Sequence, residues 1–200
     1  MAKLELRKIW DPVTRLWHWV LAGVVITNWI FGEFMDFDTV RWHFYLGYTV
    51  LGLLLFRVVW GVIGPEPVRW RWLIPRWREL LAYLRTVGRR QPSGTPGHNP
   101  LGSLSVLALL LVLAMQAGSG LFIESDDFFE SAPLSGYVSE STVNSLTWWH
   151  HLLSKVLLGL VVLHLAAILF YRVWKGENLL KPMITGWKLV RKEDQPGVKS

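Results

Sequence analysis

The chain has 200 residues, 52% of them hydrophobic, with a mean hydropathy of +0.30 and a net charge of +6. This composition is too apolar for an ordinary soluble domain of this length. The sequence contains no cysteine, which excludes disulfides, thiolate metal sites, iron–sulfur clusters and covalent c-type haem attachment. Any metal must therefore be held by histidine or oxygen ligands.

The apolar residues concentrate in segments long enough to cross a bilayer, which takes about 20 residues per helix. Four such segments are predicted, at residues 16–35, 43–63, 101–123 and 148–171. The expected fold is an all-α integral membrane four-helix bundle. We expect this domain to cover residues 1–175 and to be followed by a basic cytoplasmic tail over residues 176–200.

The long connection over residues 65–97 carries its own helical pattern. Its middle, "RWRELLAYLRTVG", has apolar residues at helical spacing beside arginines and tryptophans. This pattern is typical of an amphipathic helix that lies in the membrane interface. After the connection, Asn99 suits the N-cap of the third long helix and Pro100 suits its first position.

The charges between the predicted spans alternate in sign. Residues 64–100 carry seven arginines against two glutamates, whereas residues 122–149 carry five acidic residues and no lysine or arginine. By the positive-inside rule, both termini and the arginine-rich loop are expected in the cytoplasm of a bacterial inner membrane, with the acidic loops outside. The basic residues sit at membrane edges, so topology and anionic lipid explain them better than nucleic-acid binding does.

Helical geometry sorts the histidines of the fourth span. At about 100° per residue, His150 and His164 differ by only about 40° in direction, while His151 points elsewhere. With a rise of about 1.5 Å per residue, the two histidines on the shared face lie about 21 Å apart along the helix axis. One is expected near the outer surface and the other closer to the cytoplasm.

The predicted topology gives each of these histidines a partner at its own depth. His18 begins the first span on the cytoplasmic side and can meet His164, while His43 begins the second span on the outer side and can meet His150. Two histidine pairs stacked along the membrane normal are the arrangement needed to bind the iron of two haems. Zinc fits less well, because two histidines leave a tetrahedral site two ligands short.

Other residues fit this interpretation or stay open. Gly47 lies one turn after His43, where a missing side chain would let a flat macrocycle approach. Arg57 shares the face of His43 but lies near the cytoplasmic level, where it could pair with a haem propionate or reach the headgroups. His151 is expected at the interface beside a predicted ligand, and Lys155 could snorkel outward or meet the outer haem. His98 could cap a helix, be solvated, or lie near a quinone or proton path.

The sequence resembles the bacterial di-haem cytochrome b family that includes the membrane subunits of nickel–iron hydrogenases. The resemblance covers about residues 8–175, and four stretches carry it: "WDPVTRLWHW", "WHFYLGYTVLGLLLFRVVWG", "GHNPLG" and "HHLLSKVLLGLVVLH". In that family the haem ligands come from spans 1, 2 and 4. The resemblance therefore implies the ligands that the geometry selects, namely His18, His43, His150 and His164.

The resemblance also implies a function. Such proteins carry electrons between a redox partner at the outer membrane surface and quinone in the bilayer, and the haems cycle by one electron. The implied cofactors are two haems b, with quinone as a mobile substrate. The implied partner is a periplasmic protein such as a c-type cytochrome or a hydrogenase, which the acidic outer loop could attract. The chain would then be an electron-transfer subunit rather than a complete enzyme.

Two alternatives belong to different functional classes. A stand-alone superoxide:quinone oxidoreductase of the same fold would need positive charge around the outer haem, and the acidic outer loops disfavour it unless Arg41 and Lys155 line the entrance. A haem-free transporter or scaffold would show no visible absorbance. Transporter folds often contain internal repeats and broken helices, and neither is evident in the sequence.

Overall fold

The computed structural model describes residues 4–95, 97–125 and 130–191, and the chain within these ranges is mostly helical. Seven α-helices and four short strands follow one another along the described residues. The helices are α1 (Pro12–Glu33), α2 (Val40–Ile63), α3 (Trp70–Leu73), α4 (Trp77–Leu84), α5 (Pro100–Ser119), α6 (Glu140–Val173) and α7 (Leu180–Thr185). The strands are β1 (Leu4–Lys8), β2 (Glu124–Ser125), β3 (Glu130–Ser131) and β4 (Trp187–Arg191).

Two of the long helices begin with the same device. The Asp11 side chain accepts a hydrogen bond from the Thr14 amide at the start of α1, and Pro12 is the first helical residue. The Asn99 side chain accepts one from the Gly102 amide at 2.9 Å, with Pro100 at the first position of α5. The predicted N-cap of the third long helix is therefore confirmed. Such caps are worth about 1 kcal/mol each.

Among the residues that the structure describes, three helical segments are long and apolar enough to cross a membrane: Val40–Ile63, Pro100–Phe122 and Glu140–Val173. They correspond to the second, third and fourth predicted spans. The last one begins eight residues earlier than predicted, because a polar stretch before residue 148 continues the helix beyond the apolar part. The predicted first span is also a continuous helix, α1, but it is not among these three segments, and His18 and Asn28 lie within its apolar stretch.

The long helices pack in sequence order. α1 lies against α2, α2 against α5, and α5 against α6. Val50, Leu113 and Leu157 are buried where α2, α5 and α6 meet, and apolar residues of α1 such as Leu21 and Val24 pack around them. This core holds together the four helices that carry the candidate site.

The two ends of the described chain meet in a small cap. β1 pairs antiparallel with β4, from Leu4 opposite Arg191 to Lys8 opposite Trp187. Beneath the strands, Ile9, Trp10, Val68 and Val190 form a second buried cluster. The chain is mostly helical, as the predicted all-α fold requires, but residues 180–191 fold back as α7 and β4. β1 and β4 each gain their backbone partners from the opposite end of the described chain.

A buried ion pair fastens the cap to the bundle. Lys188 Nζ lies 3.2 Å from Glu177 Oε1, and the two side chains are only 6% and 8% exposed. Lys188 also donates to the Gly97 carbonyl at 2.9 Å, and Glu177 accepts hydrogen bonds from the amide and hydroxyl of Ser93. These contacts join β4 to the segment that leads into α5.

The arginine-rich connection contains the predicted amphipathic helix. α4 covers Trp77–Leu84, inside the stretch 76–88 that the sequence pattern selects. Leu80 is buried, and the hydroxyls of Tyr83 and Tyr171 form a hydrogen bond that ties α4 to the end of α6.

Candidate functional site

His43 and His150 come together at the end of the bundle opposite the cap. Their ring centroids lie 6.2 Å apart and the ring planes are at 77° to each other. His43 stands in the first turn of α2, and His150 lies in α6 at a similar depth. This is one of the two pairs that the sequence predicts.

A hydrogen bond fixes each of these imidazoles through the same nitrogen. His43 Nδ1 lies 3.0 Å from the Asn28 carbonyl oxygen on α1, and His150 Nδ1 lies 3.1 Å from the Ser119 hydroxyl on α5. Histidines that bind metals are usually held in this way, because a bond at one nitrogen fixes the ring and the tautomer for coordination by the other. Both rings thus leave Nε2 as the nitrogen for a ligand.

Two glycines let the rings approach these partners. A Cβ added at Gly32 of α1 would lie 2.9 Å from His43 Cε1, and one added at Gly120 would lie 3.1 Å from His150 Cε1. Both distances are shorter than ordinary van der Waals contacts, so a side chain at either position would displace the imidazole.

The second predicted pair lies toward the cap. His18 and His164 are close enough to interact electrostatically, and His18 Nδ1 is buried without a hydrogen-bond partner among the described residues. Buried polar atoms are rarely left unpaired in folded proteins. In contrast to His43 and His150, the ring of His18 is not held through Nδ1 by any described residue.

Arg57 lies at the same end of the bundle and is buried, with 6% of its surface exposed. Its Nη2 donates to the Val68 carbonyl at 3.0 Å, and its guanidinium stacks 4.5 Å from the Trp70 ring. Nη1 is buried with no partner among the described residues. The side chain therefore does not extend into the headgroups, and it keeps a free donor for an acidic group.

His98 joins this end of the bundle and is half-buried. Its ring lies 4.8 Å from the Trp10 ring, and His98 is close enough to Lys188, Arg57, His164 and His18 to interact with them electrostatically. Burial, assisted by the positive charges of Lys188 and Arg57, lowers the pKa of His98 to about 3. The side chain that caps the N-terminus of the adjacent helix α5 is that of Asn99, so His98 does not cap this helix. Because its ring is half-buried beside Trp10, His98 does not point freely into solvent either.

The pKa of His98 predicts a loss of stability in acid. Between about pH 6.5 and 3 the unfolded chain binds a proton that the folded chain refuses, so the free energy of unfolding falls by at most about 1.4 kcal/mol per pH unit. We expect His98→Phe, which keeps a ring beside Trp10, to remove this part of the pH dependence. Thermal unfolding in detergent at pH 7, 6 and 5 measures it, and identical acid losses in both proteins would refute the assignment.

The remaining predicted residues lie outside the two pairs. The His151 ring centroid is 6.4 Å from that of His150, and the His151 side chain is exposed, as is that of Lys155. Gly47 has room beside it, since an added Cβ would meet only Asn28 Nδ2 at 4.0 Å. Arg41 forms an ion pair of 2.7 Å with Glu130.

Sequence reasoning missed the partners of the outer pair: Asn28, Gly32, Ser119 and Gly120. One of them had a usable signal. Gly32 lies 14 residues after His18 and therefore on nearly the same face of α1. No comparable signal existed for Ser119 and Gly120, because α5 carries no histidine to define a face.

Comparison with known proteins identifies the family of the chain. The family model described as prokaryotic cytochrome b561 matches residues 9–186. Curated relatives named "Probable Ni/Fe-hydrogenase B-type cytochrome subunit" occur in Azotobacter vinelandii and Azotobacter chroococcum mcd 1, each 27% identical over 94% of this chain and 90% of the relative. A protein of the same name from Cupriavidus necator is 22% identical over 90% of this chain and 86% of its own.

No solved structure matches the chain. The family match, however, covers α1 to α7 and includes all four paired histidines. The chain therefore belongs to the prokaryotic cytochrome b561 family, and it is a transmembrane b-type cytochrome of electron transport.

Proposed function

We propose that this cytochrome carries two haems b in a four-span bundle and passes electrons across the bacterial inner membrane, between a periplasmic redox partner and quinone. The observation that carries the proposal is the approach of His43 and His150, each ring held through Nδ1. The second level, formed by His18 and His164, rests on their proximity.

In this arrangement α1 crosses the membrane as a fourth span, in addition to α2, α5 and α6. Pairing of β1 with β4 brings the two ends of the described chain to one side of the bundle. A chain that starts and finishes on one side must cross the membrane an even number of times, and α2, α5 and α6 alone would give three crossings. α1 packs along α2 and supplies the missing crossing.

The orientation follows from the charges. The cap lies at the same end as the arginine-rich segment 64–95, which the positive-inside rule assigns to the cytoplasm. The opposite end carries Glu124, Glu130 and Glu140, and it would face the periplasm. His43 and His150 then serve the periplasmic haem, and His18 and His164 the cytoplasmic one.

Each group of residues has a separate task in this proposal. The Nε2 atoms of the paired histidines would bind the haem iron, while the Asn28 carbonyl and the Ser119 hydroxyl orient two of the rings. Gly32 and Gly120 leave space for those rings, and Gly47 leaves space for the edge of the macrocycle. The haem supplies one-electron chemistry when bound.

Arg57 would neutralise a propionate of the cytoplasmic haem. A buried arginine with a free donor is costly unless it finds an acceptor. Nη1 is that donor here, and a carboxylate is the acceptor that a guanidinium binds most strongly.

The outer partner would be a periplasmic redox protein, either a hydrogenase, as the names of the relatives indicate for those proteins, or a c-type cytochrome. Glu124 and Glu140 would contribute to electrostatic steering of a positively charged surface. Glu130 is partly neutralised by Arg41. Asp126 and Asp127, which the sequence assigns to the same acidic loop, lie outside the described residues.

The two alternatives are less well supported. Superoxide chemistry would need free positive charge near the outer pair. Arg41 is already paired with Glu130, which leaves exposed Lys155 as the cation of the two that the sequence suggests. A haem-free transporter or scaffold does not fit a member of a cytochrome family.

Gly32→Val is expected to lower the haem content, because its side chain would push the His43 ring away from the Asn28 carbonyl. The matched control on the same helix is Gly23→Val, since an added Cβ at Gly23 meets nothing within 4 Å. Pyridine haemochrome quantification of the purified proteins compares the two. Equal haem contents in both variants would contradict the proposed role of Gly32.

Quinol oxidation tests the function itself. The purified cytochrome is reconstituted in liposomes that contain a quinol, and haem reduction is followed by visible absorbance. We expect the quinol to reduce the haems and external ferricyanide, which cannot cross the bilayer, to reoxidise them. Haems that the quinol cannot reduce would contradict the proposal. Rapid reduction of the haems by superoxide supplied outside the liposomes would favour the alternative of a superoxide:quinone oxidoreductase.

A further inference from the structure

α4 presents an apolar strip that no described residue covers. Trp77, Leu81 and Leu84 are 69%, 42% and 44% exposed. At about 100° per residue these side chains fall within an arc of about 60° on the helix. Leu80 and Tyr83 face the bundle. Leu80 lies about 40° from Leu84, so the strip borders the buried face of α4 and continues it outward.

The preceding turn extends this strip. Trp72 and Ile74 are 53% and 61% exposed. Both lie in the segment that leads directly into α4, so exposed aromatic and aliphatic side chains recur from residue 72 to residue 84. Exposed apolar side chains concentrated in this way usually mark a binding site for a protein or a membrane.

Arginines line one edge of the strip. Arg78 and Arg85 lie about 60–100° from its centre, on the same side of the helix. Neither forms an ion pair with a described residue, whereas Arg71 is paired with Glu66 at 2.7 Å. A guanidinium is suited to phosphate because its planar donors match the phosphate oxygens.

The depth of α4 favours lipid over a protein partner. The Tyr83 hydroxyl meets that of Tyr171, two residues before the end of α6, and α4 packs against α5. Both contacts hold α4 beside the ends of membrane-crossing helices. A helix at this level with an apolar strip and flanking arginines has the features of an interfacial helix.

We propose that the strip of Trp72, Ile74, Trp77, Leu81 and Leu84 inserts between lipid acyl chains, and that Arg78 and Arg85 bind the headgroup phosphates of anionic phospholipid. This surface would hold the arginine-rich connection to the cytoplasmic leaflet. The preference for anionic over zwitterionic lipid would be about fivefold per arginine.

The test uses the full-length holoprotein. Because the chain has no cysteine, Leu81→Cys gives a single site for a bimane fluorophore, and Glu79→Cys gives a control on the far side of α4. Each labelled protein is placed in phosphatidylcholine nanodiscs containing increasing fractions of brominated phosphatidylglycerol or brominated phosphatidylcholine, which quench the label on contact. Retained haem absorbance verifies the fold of every variant.

We expect strong quenching at residue 81 and weak quenching at residue 79. At residue 81, half-quenching should need about 25-fold less phosphatidylglycerol than phosphatidylcholine, about fivefold for each of the two arginines. R78Q/R85Q should abolish that preference, and R7Q/K8Q, which removes two exposed charges from β1, should preserve it. Equal quenching at residues 79 and 81 would overturn the insertion, and equal loss of preference in both double variants would overturn the role of Arg78 and Arg85.

Discussion

Replacing His43 with alanine is expected to lower the haem content from two per chain to one. The substitution removes one imidazole of the pair with His150 and leaves the pair at the cap end intact. The remaining haem should still show a reduced b-type spectrum, because its ligands belong to α1 and the deeper part of α6. Haem per chain is measured by pyridine haemochrome analysis against protein concentration.

His151→Ala is the matched control for this prediction. His151 lies next to a proposed ligand in sequence, but its side chain is exposed. It should retain both haems. The two-level account fails if His43→Ala keeps both haems or if His151→Ala loses as much haem as His43→Ala does.

Glu177→Gln is expected to destabilise the protein by about 3–5 kcal/mol, because it leaves the Lys188 ammonium buried without a counter-charge. The native pair is almost fully covered, with exposures of 6% and 8%. Burial lowers the pKa of Lys188, and Glu177 opposes this effect. The difference in the free energy of unfolding between the variant and the native protein should therefore shrink as the pH is raised toward 10, because a neutral amine costs less to bury.

Two controls separate this effect from a general loss of charge. Glu66→Gln breaks the exposed pair with Arg71 and should cost at most about 1 kcal/mol. Glu177→Gln combined with Lys188→Met removes both buried charges and should recover part of the loss. Thermal unfolding midpoints in detergent measure all three. Equal midpoints for the Glu66 and Glu177 variants would show that the buried pair does not stabilise the cap.

The helices and the outer histidine pair could be predicted from the sequence because both depend on local regularities. Apolar segments of about 20 residues predict spans, and a turn of 100° per residue places His150 and His164 on one face. The alternating charges of the loops predict on which side of the membrane each span begins and ends. They therefore predict which histidines lie at the same depth. His43 and His150 approach each other as this reasoning expects.

The supporting contacts could not be predicted, because they join residues far apart in the chain. The Asn28 carbonyl meets His43 only through the packing of α1 on α2, and Ser119 meets His150 only through the packing of α5 on α6. The β1–β4 pairing joins opposite ends of the sequence, and neither strand carries a strong pattern of its own. In the sequence alone, Lys188 and Glu177 have the pattern of ordinary surface charges. They are buried only because β1 pairs with β4.

The central claim is that each chain holds two haems b at two histidine levels. The most direct test is the reduced-minus-oxidised visible spectrum of the purified protein, combined with pyridine haemochrome quantification after expression with ample haem. The account predicts two haems b per chain. One haem per chain would contradict the two-level arrangement, and no haem would contradict the assignment of all four histidines as ligands.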